Sequence, residues 1–324
     1  MVYAPVLIPT LNRYEHLRQC LESLACCTWA SETEVYVALD YPPIEQWDKY
    51  VQGWEKNREY LRSVGNMGFK KLYVIERKEN YGIWLPGQKG NLQSLCHEVA
   101  SKYDRYIIAE DDNVFSPNFL EFMDKGLEKF EDDERVYALS GFRWWFPVKY
   151  DTNTFFRQQV ECTPWSEGVW VAKKKMLDNI DYIWFRKWLS LSTICNLLKR
   201  GEVCLLGSLF EFARSVHKGD CLIDRHLTVI LSLTGMQMIL PTVSLVKNIG
   251  LDGSGVTMSQ SDKNTQQMYA TIPISMESHF DFIGTGYEYF AENQTIYRKG
   301  KEWRTNSFYR RRLIKKITKF ILQR

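Results

Sequence analysis

Glu110, Asp111 and Asp112 stand side by side after the apolar run 106–109 and before Ser116-Pro117, where a helix is expected to begin. Three adjacent carboxylates repel one another and call for a compensating charge. A hard divalent ion, Mg2+ or Mn2+, takes oxygen ligands and meets that need. Held by one or two carboxylates, such an ion keeps positions open for diphosphate oxygens and neutralises a leaving group as its bond breaks. The plainer alternative is a solvated acidic turn ahead of a helix N-terminus, where negative charge is favoured in any case. A strand before the triplet and a capped helix after it favour the chemical reading.

The elements that must position these acids follow from hydrophobic periodicity. Strands are expected over 2–8 (bounded by Pro9), 35–39, 72–75, 106–109 and 136–140. Between them lie helical patterns over 14–24, 44–64, 91–101 and from Ser116-Pro117 onward, the last with Ser as N-cap and Pro at the first helical position. Such alternation predicts an α/β fold, a Rossmann-like, mostly parallel central sheet flanked by helices. Ligands of these sheets bind outside the carboxyl ends of the strands. Asp40, the stretch after Ile75, and the triplet 110–112 all fall on that edge. The second half is less regular. Aromatic residues of 142–170 suggest antiparallel strands, helices are expected near 173–180, 186–199 and 222–233, and 236–240 reads as a strand.

Taken with the acidic turn, the opening turn Pro9-Thr-Leu-Asn-Arg13, the run Pro164-Trp-Ser-Glu-Gly-Val-Trp170 and the glycine-rich stretch 250–255 resemble GT-A-fold glycosyltransferases, of the bacterial family 2 type that builds surface polysaccharides. They are also similar to the N-acetylglucosaminyltransferase that initiates complex N-glycans. The likeness runs through Val6-Leu-Ile-Pro-Thr-Leu-Asn-Arg13, the acidic segment 109–123, Tyr137-Ala-Leu-Ser-Gly141, Pro164-Trp-Ser-Glu-Gly-Val-Trp170 and the stretch 241–255. It covers about residues 2–258. Each motif is loose alone, and their order and spacing together are specific.

The resemblance implies a donor lobe over 1–141 and a C-terminal acceptor-binding lobe over 142–300; charge and spacing add a basic helix over 301–324. The resemblance also implies that Asp112 ligates the metal, Mn2+ or Mg2+, while Glu110 and Asp111 face the donor sugar or ribose. Pro9, Thr10 and Arg13 would contact the nucleotide, and Asp40 its base. Lys89, in a segment resembling the one that closes over the donor, could offset diphosphate charge, although a solvated loop lysine is nearly as good a reading. The general base of an inverting transfer would be Asp224, with Asp220 in reserve. Ile223 stands where relatives carry an aromatic, which loosens that alignment. Glu167 departs from the family pattern and is expected to contact sugar hydroxyls. Residues 250–255 are expected to form a loop that orders over a bound donor. The implied activity is transfer from a nucleotide-diphosphate sugar, UDP-linked by expectation, to a saccharide acceptor that could be lipid-linked.

Other function classes fit less well. A sugar nucleotidyltransferase would carry a Gly-rich basic loop after the first strand, where this chain has Pro9-Thr-Leu-Asn-Arg13. A non-catalytic glycan- or lipid-binding protein of the same fold remains the alternative outside enzymes. With 45% hydrophobic and 25% charged residues the chain is ordinary for a folded protein, so disorder is not expected. Eight cysteines without C-x-x-C spacing argue against zinc and for reduced thiols. Histidines 217, 226 and 279 have no diagnostic spacing and read as structural. The N-terminus does not resemble a signal peptide, and no apolar run suffices to span a bilayer, so a cytoplasmic location is expected.

Net charge is +3, but seven basic residues and no acid fall in 310–324, leaving the body net negative. In that tail Leu313, Ile314, Ile317, Phe320 and Ile321 share helical spacing, the pattern of an interfacial amphipathic helix. It is expected to touch the inner face of the plasma membrane, unless it packs on the body with a solvated basic face. Nucleic-acid binding is disfavoured by the acidic body and the missing motifs.

Overall fold

The computed structural model describes residues 2–82, 90–143, 155–158, 165–178, 233–255, 274–284 and 287–288, with isolated positions between 190 and 231. Its centre is a nine-stranded sheet. The first half supplies β1 (Val6–Thr10), β2 (Glu34–Leu39), β3 (Lys71–Glu76), β4 (Arg105–Ile108) and β6 (Val136–Ser140). The second half adds β7 (Phe155–Gln158), β8 (Glu167–Trp170), β9 (Gln237–Pro241) and β11 (Tyr287–Glu288). Strand order is β11-β7-β9-β6-β8-β4-β1-β2-β3. Five of the eight pairings are parallel, and the three antiparallel ones involve β8 or β7. The sheet is α/β and mostly parallel, as the alternation predicts.

β8 lies between β4 and β6. The expected boundary at residue 141 therefore falls within one continuous sheet, and the two expected lobes share it. A separate two-stranded ribbon joins β5 (Asn113–Phe115) to β10 (Val246–Asn248), antiparallel.

Helices cover both faces because alternate strand residues point to opposite sides. Val6, Ile8, Val35, Val37 and Ile107 meet α1 (Tyr14–Ala25), α2 (Trp47–Ser63) and α4 (Phe119–Lys129) in the larger core. Leu7, Tyr36, Ala38, Tyr106 and Ile108 meet α3 (Asn91–Val99), Leu227 and Leu231 on the other side. α5 (Val171–Asp178) continues directly from β8. No helix among the described residues is long and apolar enough to cross a membrane.

Two expectations need correction. Pro9 does not bound the first strand but lies inside it, in register with Ala38. The backbone of Pro5 and Leu7 bonds toward β4, whereas Thr10 bonds toward β2. By alternation the missing Pro9 N–H faces β4, whose pairing with β1 has already ended at Leu7, so no ladder bond is lost. Ser116 does not cap α4. That helix begins at Phe119 after Asn118, because the Ser116 hydroxyl donates to Asn118 Oδ1 at 2.6 Å and its N–H to the Leu245 carbonyl at 2.9 Å. Pairing with the ribbon holds Ser116 out of the helix.

α4 also carries a buried acid. The Ala4 N–H donates to Asp124 Oδ1 at 2.9 Å, while Oδ2 is buried with no hydrogen-bond partner among the described residues. Burial pushes this carboxyl up to about 7, outweighing the Ala4 N–H and the Arg105 charge. The unfolded chain ionises it near pH 4. Stability therefore falls as pH rises from about 4 to 7 and levels off above. Asp124→Asn is expected to gain about 4 kcal/mol over the parent at pH 8 and nothing at pH 4. Urea unfolding of both proteins at the two pH values checks this, and an unchanged difference would refute it.

Candidate functional site

β1, β2, β3 and β4 run parallel and end on one edge, which sets the site. β1 delivers Thr10 and the turn to Arg13, β2 delivers Asp40, β3 delivers Arg77, and β4 delivers the acidic triplet. Asp111 and Asp112 are only 4% and 5% exposed, so water does little to screen their mutual repulsion.

Their partners come from distant parts of the chain. Thr10 Oγ1 donates to Asp111 Oδ2 at 2.7 Å, and Asn57 Nδ2 donates to Thr10 Oγ1 at 3.1 Å. Arg13 forks across both acids: Nη2 pairs with Asp111 Oδ1, and Nη1 with Asp112 Oδ2 at 2.7 Å. Asp112 Oδ1 accepts from Asn248 Nδ2 at 2.8 Å and Asn113 Nδ2 at 3.3 Å. Burial raises the Asp112 pKa, with Arg13 opposing and Asp111 adding to the rise. Burial also works against the Arg13 charge, yet the two aspartates outweigh it and raise the guanidinium pKa. Arg13 is therefore the resident counter-charge of the acidic turn.

The stretch after β10 closes over this pair. The Ile249 N–H donates to the Asp112 carbonyl at 2.9 Å, and the Gly250 N–H to Asn248 Oδ1 at 2.9 Å. A Cβ at Gly250 would lie 1.9 Å from Asp112 Oδ2 and 2.9 Å from Arg13 Nη1. His16 Nε2 sits 3.3 Å from Asp252 Oδ2 and ties the 250–255 turn to α1. Here the turn expected to order over a donor packs against Arg13 and Asp112.

Asp40 is buried, and its carboxylate accepts the N–H groups of Tyr41, Tyr81 and Gly82 at 2.9, 2.8 and 2.8 Å, with Asn80 Nδ2 at 3.3 Å. Burial raises its pKa against those bonds and the Arg77 charge. Glu167 opens β8 in register with Ile108 and Ser140, 4% exposed. Its Oε2 is 3.8 Å from Lys174 Nζ, and its Oε1 has no hydrogen-bond partner among the described residues. The preceding Ser166 holds a left-handed φ of 65° and donates its hydroxyl to Asn113 Oδ1 at 2.9 Å. A non-glycine residue in that region stores strain, and strain concentrates at functional sites.

The structure thus brings Pro9, Thr10, Arg13, Asp111 and Asp112 together, with Glu110 half-buried at the start of the same turn. Asp40 and Glu167 stand on the same edge. Lys89, Asp220, Asp224 and the tail 301–324 lie outside the described residues. Asn113, Asn248 and Arg77 join the site without having been expected there. Asn248 lies in the stretch 241–255 that carries the resemblance, and Arg77 directly follows an expected strand. Arg77 Nε donates to Asn91 Oδ1 at 3.0 Å and Nη1 to Glu98 Oε1 at 2.6 Å. His279, read as structural, has Nδ1 3.1 Å from Glu121 Oε2.

No family model matches the chain, and no curated protein does. Among solved structures it is similar to Staphylococcus aureus TarS, at 17% identity over 50% of this chain and 25% of that one, TM-score 0.30. A shorter TarS structure, residues 1–349, matches at 16% identity over 55% and 49% of the two chains, TM-score 0.34. Mannosyltransferase PcManGT from Pyrobaculum calidifontis, in complex with GDP-Man and Mn2+, matches at 13% identity over 54% and 46%, TM-score 0.32. The chain spans less than half the length of each. Overlap this partial assigns no residue a role.

Could the residues present hold a divalent ion? Among the described residues no three His, Cys, Asp or Glu side chains converge on a metal-sized point. Two buried aspartates do match in kind what Mg2+ or Mn2+ takes from a protein when substrate phosphates and water complete the shell. With Arg13 in place, all four of their oxygens are already engaged. The donor set fits, provided that Arg13 moves.

Proposed function

We propose that the chain is a metal-dependent GT-A-type glycosyltransferase that moves a sugar from a nucleotide-diphosphate donor, UDP-linked, to a saccharide acceptor with inversion. The carrying observation is the pair Asp111 and Asp112, buried at the carboxyl edge of the sheet and gripped by Thr10 and Arg13 of the β1–α1 turn. That edge is where doubly wound sheets bind nucleotides.

In this reading Pro9, Thr10 and Arg13 border the nucleotide, and Asp40 fixes its base. Arg13 suits the task because a guanidinium matches phosphate oxygens bidentately. Asp112, with Asp111 beside it, would hold Mn2+ or Mg2+, which when bound supplies positive charge to the diphosphate leaving group. Glu110 and Glu167 face sugar hydroxyls, and Lys89 lends charge near the diphosphate. Asp224, with Asp220 in reserve, takes the proton from the attacking acceptor hydroxyl, so that the new bond forms as the bond to diphosphate breaks. A lipid-linked acceptor accords with the basic tail, whose cations each contribute about 1 kcal/mol beside an anionic leaflet. The donor lobe 1–141 and acceptor lobe 142–300 then meet within the shared sheet.

Thermal unfolding with a panel of UDP- and GDP-sugars, with and without Mn2+, tests the proposal. A donor at a hundred times its dissociation constant adds about 2.7 kcal/mol, a rise of roughly 4 °C. The rise is expected only with Mn2+, followed by slow release of nucleotide. Stabilisation without release would favour a binding protein, and no response to any donor would end the assignment.

A further inference from the structure

Arg13 is the unusual member of the acidic site. Each of its two terminal nitrogens is spent on a different carboxylate, Nη2 on Asp111 Oδ1 and Nη1 on Asp112 Oδ2. The remaining oxygens face inward, Asp111 Oδ2 to Thr10 Oγ1 and Asp112 Oδ1 to Asn248 and Asn113. The oxygens left for a divalent ion are therefore the two that Arg13 occupies. A doubly charged ion placed beside them would also be repelled by the guanidinium. An arginine cannot escape by losing its proton. It has to move.

We propose that Arg13 is an internal counter-cation that makes divalent-ion binding conditional on the nucleotide. The diphosphate of a donor offers the guanidinium a second bidentate partner, and its transfer there frees Asp111 Oδ1 and Asp112 Oδ2. This rests on the function proposed above. The 250–255 turn takes part in the exchange. A Cβ at Gly250 would fall 2.9 Å from Arg13 Nη1, and one at Gly255 3.6 Å from it, so the turn is seated on the guanidinium and shifts when it leaves. The His16–Asp252 contact at 3.3 Å holds the far side of the turn to α1. Linkage makes the effect reciprocal: whatever factor the nucleotide adds to metal affinity, the metal adds to nucleotide affinity.

The test is titration of the full chain with Mn2+, following free ion by electron paramagnetic resonance, alone and with saturating UDP. The parent is expected to bind Mn2+ weakly alone and at least tenfold more tightly with UDP. Arg13→Gln is expected to bind Mn2+ without UDP at least tenfold more tightly than the parent, because both outward oxygens stand free. Arg13→Lys, which can reach one carboxylate but not fork across two, should fall between, and it replaces the glutamine variant should that one not fold. Adding Asp112→Asn to Arg13→Gln is expected to abolish the gain. Equal Mn2+ affinity of parent and Arg13→Gln would overturn the proposal while leaving the assigned site intact. Failure of every protein to bind Mn2+, with or without UDP, would overturn this proposal and the assigned function together.

Discussion

Replacing Asp112 with asparagine is expected to lower nucleotide release from a donor sugar about a thousandfold, the scale lost when one preorganised charge-stabilising group leaves an active site. The substitution keeps the shape of the side chain. Its Oδ1 can still accept from Asn248 and Asn113, now at 2.8 and 3.3 Å. What disappears is the charge facing Arg13 Nη1 at 2.7 Å. Arg13 keeps Asp111 as partner, and the like-charge repulsion between the two aspartates goes, so the fold should survive with a stability change of about 1–2 kcal/mol. Donor assays and Mn2+-dependent melting should separate the effects: Mn2+ should no longer raise the melting temperature. An asparagine variant within tenfold of parental turnover would show that this carboxylate does not carry the chemistry.

Gly250→Ala is expected to be as damaging to binding, through geometry alone. The added methyl would lie 1.9 Å from Asp112 Oδ2 and 2.6 Å from its carboxyl carbon. Asp112 cannot swing aside cheaply, because Asn248, Asn113 and Arg13 all hold it. Either the carboxylate gives up its partners or the 250–255 turn lifts away. Overpacking of this kind costs about 1–3 kcal/mol, and at this position the cost falls on the site. Melting temperature should drop by only a few degrees, while stabilisation by UDP with Mn2+ should fall at least thirtyfold in apparent affinity. Gly253, whose φ is 87°, is a useful contrast. Substitution there strains the backbone of the same turn, so a matching loss of UDP affinity at both positions would indicate turn conformation and not the steric clash.

Much of the architecture was readable along the chain. Val6, Ile8, Val35 and Val37 alternate with residues buried on the opposite face, and Leu17, Leu21 and Leu24 recur at helical spacing. Those periods, 2 and 3.6, are local, and a strand–helix alternation leaves few topologies open. The acidic triplet at the end of β4 and the polar turn after β1 were visible for the same reason. β5 and β10 carried no such mark, since three residues each are too short for a period to show. The start of α4 was misplaced because the partner that draws Ser116 from the helix, the Leu245 carbonyl, lies far along the chain.

By itself, then, the sequence determined the α/β sheet, its carboxyl edge and the carboxylates that edge presents. Tertiary structure alone decided what those carboxylates touch. Arg13 and Asp112 are 99 residues apart, and Asn248 and Asp112 are 136 apart. Periodicity reports which way a side chain points from its own element. Which charge meets it across a loop depends on how the strands are ordered and on where the chain can approach closely, as it does at Gly250. That is why the triplet could be found from its neighbours in the chain, and its resident counter-charge only from its neighbours in space.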